Sequence, residues 1–241
     1  MRIGSITRTL AFASVLIVAT SCMRDQDHEA NSETTHQVDH IIVAVADLEA
    51  GIDEFREKTG IEPVFGGIHP GRGTQNALVA LGAGVYLEIL APQTDIEIPE
   101  ELEWMLELET MTPTGFAVST SDIESTASIL SDSGFAAANP SSGSRATPAG
   151  DTLMWTTTAI SNPAIEGAPF FIEWHADSPH PASTSPAGCE LRSLSVATNQ
   201  QSQMSGLFTA LGLAITVVAG QSEGAGYDIV IDCPNGEVRF N

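Results

Sequence analysis

Val38–Phe55 reads VDHIIVAVADLEAGIDEF, and the fold turns on how it is parsed. His40–Val45 is rich in Ile and Val, whose branched side chains fit a pleated, half-buried surface, so it predicts a strand. From Asp47 the period changes, because Leu48, Ile52 and Phe55 fall on one helical face. Asp47 is placed to cap the free N–H groups of that helix, and Gly60 to close it in a left-handed turn. Alternation along the strand puts His40 on the same face as Ile42 and Ala44. An imidazole pointing where an isoleucine points either has a quiet hydrogen-bond partner or serves a function.

The same pattern recurs twice at nearly equal spacing. GFAVST leads into Asp122 and a helix with Ile123, Ala127 and Leu130, closing at Gly134. LRSLSVAT leads into Asn199 and a helix with Met204, Leu207, Phe208 and Leu211, closing at Gly212. Strand-like runs follow each helix: NALVALG and VYLEILA about a turn at Gly82–Gly84, then LMWTTTAI and FFIEW, then LAITVVAG, YDIVIDC and EVRF. The repeated unit is a strand, a helix and two or three antiparallel strands, an α+β architecture. Between the first two units, PEELEWMLELETM predicts an amphipathic connecting helix.

The chain begins MRIGSITRTLAFASVLIVATSC, with Arg2 and Arg8, an apolar run too short to span a bilayer, and small residues before Cys22. Residues 1–22 therefore read as an export signal, either a lipobox with Cys22 lipidated or an ordinary cleavage site. The lipoprotein reading places the protein at a bacterial membrane facing the periplasm, held by its lipid anchor. The alternative is a soluble periplasmic or secreted protein. Polar residues 23–37 predict a disordered tether. Residues 38–181 hold the paired units and 189–241 the third.

The formal net charge of −22 argues against nucleic acid as a partner, because phosphate backbones repel such a surface. With Cys22 at the anchor, Cys189 and Cys233 remain as an even pair, open to either a disulfide in an oxidising compartment or two buried thiols.

Three stretches together resemble the glyoxalase-like domain proteins of the vicinal oxygen chelate superfamily. They are VDHIIVAVADLEAGIDEFREKTG, HPGRGTQNALVALGAGVYLEILAP, and RATPAGDTLMW followed by PFFIEW and His180-Pro181. The resemblance implies tandem βαβββ modules whose curled mixed sheets form a half-open barrel. It implies metal ligands from the first and fourth strands of each unit, here His40, Glu88 and Glu173. The fourth position falls on Gly115, which has no side chain to ligate. One imidazole with two carboxylates suits a divalent metal ion such as Zn, Fe, Mn or Ni. A hydrogen-bonded His40–Glu88 pair without metal remains the alternative. Carboxylates within YLEIL and FFIEW are costly to bury unless paired or ligating.

The loop HPGRGTQN, His69–Asn76, sets Arg72 between two glycines, from which a guanidinium can fork onto an acidic group. Arg72 and Asn76 are substrate-binding candidates, and Arg145 is a third with a surface ion pair as its competing role. His69, His175 and His180 are further candidates for a ligand or general base. The expected function is an exported metal-dependent lyase, isomerase or dioxygenase acting on a small anionic molecule, with Arg72 gripping substrate and Glu173 a ligand or the proton carrier. The alternative is a ligand-binding lipoprotein without turnover. The third unit either covers the paired units or mediates a homodimer.

Overall fold

The computed structural model describes residue 1 and residues 34–241 apart from 149, 163 and 221–223. The expected export signal with Cys22, and the tether up to residue 33, lie outside the described residues.

Unit one comprises β1 (His36–Ala44), α1 (Leu48–Thr59), β2 (Val64–His69), β3 (Thr74–Ala80) and β4 (Tyr86–Pro92). β1 begins two residues ahead of the boundary expected from sequence. Asp47 accepts from Ala50 N–H, and Gly60 closes α1 at φ 79°. A 3₁₀ helix, Glu100–Glu107, connects the units and buries Met105.

Unit two comprises β5 (Thr112–Thr120), α2 (Ile123–Asp132), β6 (Ala136–Ala137), β7 (Ser141–Ala146), β8 (Thr152–Asn162) and β9 (Phe170–Trp174). Asp122 caps α2 by accepting from the Glu124 and Ser125 N–H groups. His180 caps a short helix, α3 (Pro181–Thr184), beyond it.

The two units join edge to edge. The strand order is β2-β3-β4-β1-β5-β9-β8-β6, with β7 also paired to β8. β1 and β5 meet antiparallel at the centre, and in each unit the first and last strands run parallel, β1 with β4 and β5 with β9. The sheet is mixed and curls into an open bowl. Its ends are joined by a side chain instead of a ladder: the Arg145 guanidinium on β7 donates to the Gly66 carbonyl on β2. Gly66 is available because the β2–β3 register shifts between Phe65 and Gly67, which takes it out of regular pairing.

The third unit comprises β10 (Glu190–Thr198), α4 (Gln201–Ala210), β11 (Thr216–Ala219), β12 (Gly226–Cys233) and β13 (Gly236–Phe240). It keeps the order of elements but pairs them differently, as β11-β10-β12-β13. Here the strand after the helix lies parallel to the first strand. Asn199, expected to cap α4, gives way to Gln200, which makes no side-chain cap bond.

This small sheet packs on the helix-bearing face of the large one. Phe116 of β5 meets Phe208 and Tyr227 edge-on at 6.2 and 6.3 Å, and Phe55 of α1 stacks on Phe240. Ala80 N–H bonds Pro186 O and Leu191 N–H bonds Leu81 O, which stitches the sheets together at the backbone. The third unit thus covers the paired units, one of its two expected roles.

Cys189 and Cys233 are joined in a disulfide that closes a sequence separation of 44 across this sheet. Replacing both by Ser frees the unfolded chain and lowers the unfolding free energy by about 2–4 kcal/mol. Urea denaturation of variant and parent without reductant measures this, and the two curves converge once reductant is added to the parent.

Candidate functional site

The bowl face can be read from strand pairing. Partners across an antiparallel ladder share a face, so His40 with Ala117 and Ile42 with Gly115 look inward from the centre. β9 presents Phe170, Ile172 and Trp174 there, and β8 presents Trp155 opposite Trp174. The buried floor carries His40, Glu88, Asn76 and Arg145.

Asp39 would point to the other face in a regular strand. The β1–β5 register shifts between Val38 and His40, leaving Asp39 as the extra residue of a bulge. The bulge turns its carboxylate toward the next side chain, and His40 Nδ1 donates to Asp39 Oδ1 at 2.7 Å. Trp174 Nε1 and His180 Nε2 donate to Oδ2 at 3.0 and 3.1 Å. Burial pushes the Asp39 pKa up, but the His180 and His40 hydrogen bonds and nearby positive charge prevail and hold it at about 2.

With Nδ1 committed, the His40 ring presents Nε2 to Glu88, 3.6 Å from Oε2. The ring lies stacked on Tyr86 at 4.6 Å, with Phe170 edge-on at 5.5 Å. Glu88 Oε1 accepts from Asn76 Nδ2 at 2.6 Å and lies 3.5 Å from His69 Nε2. Burial alone would raise the Glu88 pKa, yet His69, His40, the Asn76 amide and Arg145 together hold it below the ordinary value. Desolvation lowers the His69 pKa, only partly countered by Glu88, and His69 Nδ1 is tied to Thr74 at 2.9 Å. Burial, then the charges of Asp39 and Glu88, push Tyr86 well up, so its hydroxyl stays protonated.

The site therefore consists of two ionised carboxylates flanking one imidazole, with a guanidinium and an amide alongside. Among the described residues, Asn76 Oδ1 is buried without a hydrogen-bond partner, an orphaned acceptor that costs about 1–3 kcal/mol.

Several expectations from sequence change. Glu173 does not join His40 and Glu88; it shares a face with the core residue Phe171, and its Oε2 accepts from Ile123 N–H at the start of α2. The ladders give the physical reason. The two units are related by a pseudo-twofold through the β1–β5 pair, so His40 matches Gly115 and Ile42 matches Ala117. Glu88 pairs with Ile42, and Phe170 pairs with Ala117. The counterpart of Glu88 is therefore Phe170, and unit two supplies neither ligand.

The expected metal set of His40, Glu88 and Glu173 is not assembled. Among the described residues, no three His, Cys, Asp or Glu side chains are placed to hold a metal ion. His40 Nε2 and Glu88 Oε2 face each other at 3.6 Å, but no third imidazole, carboxylate or thiolate is placed with them to complete a metal site among the described residues. The residues as they stand do not fit a divalent metal.

The two candidate arginines are placed differently. Arg72 is exposed on the β2–β3 turn, whereas Arg145 is 5% exposed and faces Glu88 from within the bowl. Asn76 and His69 belong to the site, His180 reaches it through Asp39, and His175 is exposed. Asp39, Tyr86, Trp155 and Trp174 were not singled out from sequence. Adjacency to His40 was the one available sign for Asp39, and regular alternation argued against it.

Asp39 is depressed on folding, so its stabilisation is complete above the unfolded value of 3.8 and is lost as pH falls toward about 2. Asp39→Asn lowers stability at neutral pH by about 2 kcal/mol, and the deficit narrows as acid titrates the parent. Urea denaturation of both proteins across acidic and neutral pH gives the difference directly.

The glyoxalase-like domain family profile matches residues 38–212. No curated protein matches the chain in sequence. Among solved structures, a hypothetical protein from Staphylococcus aureus is similar with a TM-score of 0.58 at 18% identity, over 85% of this chain and 84% of that one. Methylmalonyl-CoA epimerase from Mycobacterium tuberculosis aligns with a TM-score of 0.41 at 21% identity, over 57% of this chain and 85% of that one. The Streptomyces coelicolor methylmalonyl-CoA epimerase in complex with 2-nitronate-propionyl-CoA aligns with a TM-score of 0.41 at 19% identity, over 58% and 98%.

Proposed function

The chain belongs to the glyoxalase-like domain family of the vicinal oxygen chelate superfamily, and on that premise we propose an enzyme that moves a proton on a small anionic molecule, an isomerase or lyase, with His40 as its acid–base group. The observation that carries this reading is the line Asp39–His40–Glu88 on the floor of the bowl. Asp39 fixes the imidazole with Nδ1–H donated, which leaves Nε2 to take a proton from a bound molecule and return it. The imidazolium so formed lies between two carboxylates whose negative charge stabilises it.

Burying such a cluster is costly, and a β-bulge holds it in place; both are marks of a working site. Arg145 contributes charge, and the Asn76 amide contributes its orphaned oxygen for a ligand hydroxyl or protonated group. Trp155 and Trp174, edge to face at 5.6 Å, form the wall above.

The test uses small 2-oxo acids in deuterated water, with exchange at the carbon beside the carbonyl followed by proton NMR. The parent protein exchanges deuterium into at least one acid. His40→Gln slows this about 100- to 10,000-fold, the usual range for removing a general acid–base group. Arg145→Met raises KM more than it lowers kcat. Binding without exchange would instead favour the ligand-binding lipoprotein.

The reading also includes export and anchorage through Cys22. Its support is the N-terminal sequence, together with Cys189 and Cys233 being paired with each other, as suits an oxidising compartment. Cys22→Ser is expected to move the full chain, expressed in a bacterium that processes lipoproteins, from the membrane to the soluble fraction. Retention in the membrane would overturn the anchor.

A further inference from the structure

The pseudo-twofold brings an unlike pair of sites together. Where unit one has His40 and Glu88, unit two has Gly115 and Phe170. On the unit-two side, Gly115 and Phe170 line a cavity of about 270 Å³. Ligand pockets usually run from about 300 to 1,000 Å³, so this one suits part of a small molecule, and about 150 Å³ already accepts a benzene ring.

The cavity has a sequence cause. In unit one, β1 and β4 pair from His40 to Ala44; in unit two, β5 and β9 pair only from Ala117 to Ser119. Pro169 precedes the first paired residue of β9 and has no N–H to extend the ladder, so β9 starts late and β5 is left uncovered at Gly115 and Phe116. A Cβ built on Gly115 meets no atom within 4 Å, so the missing side chain adds to the space.

Ile42 and Phe170 bound the cavity on the bowl side, while Ile165 and Tyr227 close it behind. Phe170 also touches the His40 ring, and Ile42 follows two residues after His40 on the same face, about 7 Å along the strand. The cavity thus adjoins the polar floor through Phe170 and Ile42, and is lined chiefly by apolar side chains.

We propose that this cavity is an apolar subsite that seats the tail of the ligand whose acidic head lies at His40, Glu88 and Arg145. The inference rests on the functional reading above and narrows its substrate class to short acids carrying an alkyl or aromatic tail.

The experiment is calorimetric titration of straight-chain 2-oxo acids of increasing length into the full chain. For the parent, affinity rises about fourfold for each added methylene until the cavity is full. Gly115→Val places a branched side chain in the cavity at a strand position that tolerates it. In that variant the shortest acids bind as before and the gain with length disappears. Ala159→Leu fills the same space from β8 and is expected to flatten the series in the same way, which keeps the test decisive if Gly115→Val folds poorly.

A parent series that binds but is flat with length overturns the subsite and leaves the head-group reading standing, as does a variant series that still climbs. Absence of binding by every acid, long or short, overturns the head-group reading and the subsite with it.

Discussion

A carboxylate kept ionised away from water must have its hydration replaced by protein donors, and Asp39 receives three. They come from His40 on its own strand, Trp174 on β9 and His180 at the start of α3. These segments lie far apart in sequence and meet only when both halves of the sheet are in register. The bulge that turns Asp39 inward fixes which imidazole nitrogen is free and which way it points. Removing any donor leaves a buried charge short of partners, which is far more costly than losing an exposed hydrogen bond. Folding of the bowl and arrangement of its chemistry are therefore a single event.

Duplication supplied two equivalent places on the floor, and the halves then took different chemistry. In unit one a histidine and a glutamate face each other within a net of amide, imidazole and guanidinium. In unit two, glycine and phenylalanine stand at the matching positions, and a proline shortens the ladder beside them. One half of the floor is charged and the other is apolar. Such asymmetry suits an amphipathic small molecule better than a symmetric cage of ligands would.

The shift in period from HIIVAV to the Leu48–Ile52–Phe55 helix was legible because alternation and helical spacing are both carried by side-chain polarity. The unit and its first two repeats followed, whereas the cysteines stayed open between a disulfide and two thiols until the structure joined them. Phase was harder to read. FFIEW is apolar on both faces, so nothing in it showed that Phe170 and Trp174, and not Glu173, look into the bowl. β7, SSGSRA, has no apolar alternation at all, so the sequence could not show that Arg145 points inward while Arg72 stays outside. Asp39 was hidden most completely, since its orientation depends on a one-residue irregularity against a strand far along the chain. Sequence showed which elements exist, whereas pairing register decided which side chains meet.

The contact between β7 and β2 has a consequence for motion. These ends are bridged by the Arg145 guanidinium on a carbonyl, not by a backbone ladder. Swinging one long side chain about its own bonds separates the rims without breaking a strand pair. The strand pairing of the sheet is therefore independent of this one contact between its ends. The same arginine lies beside Glu88, so the rim contact and the polar floor share one side chain.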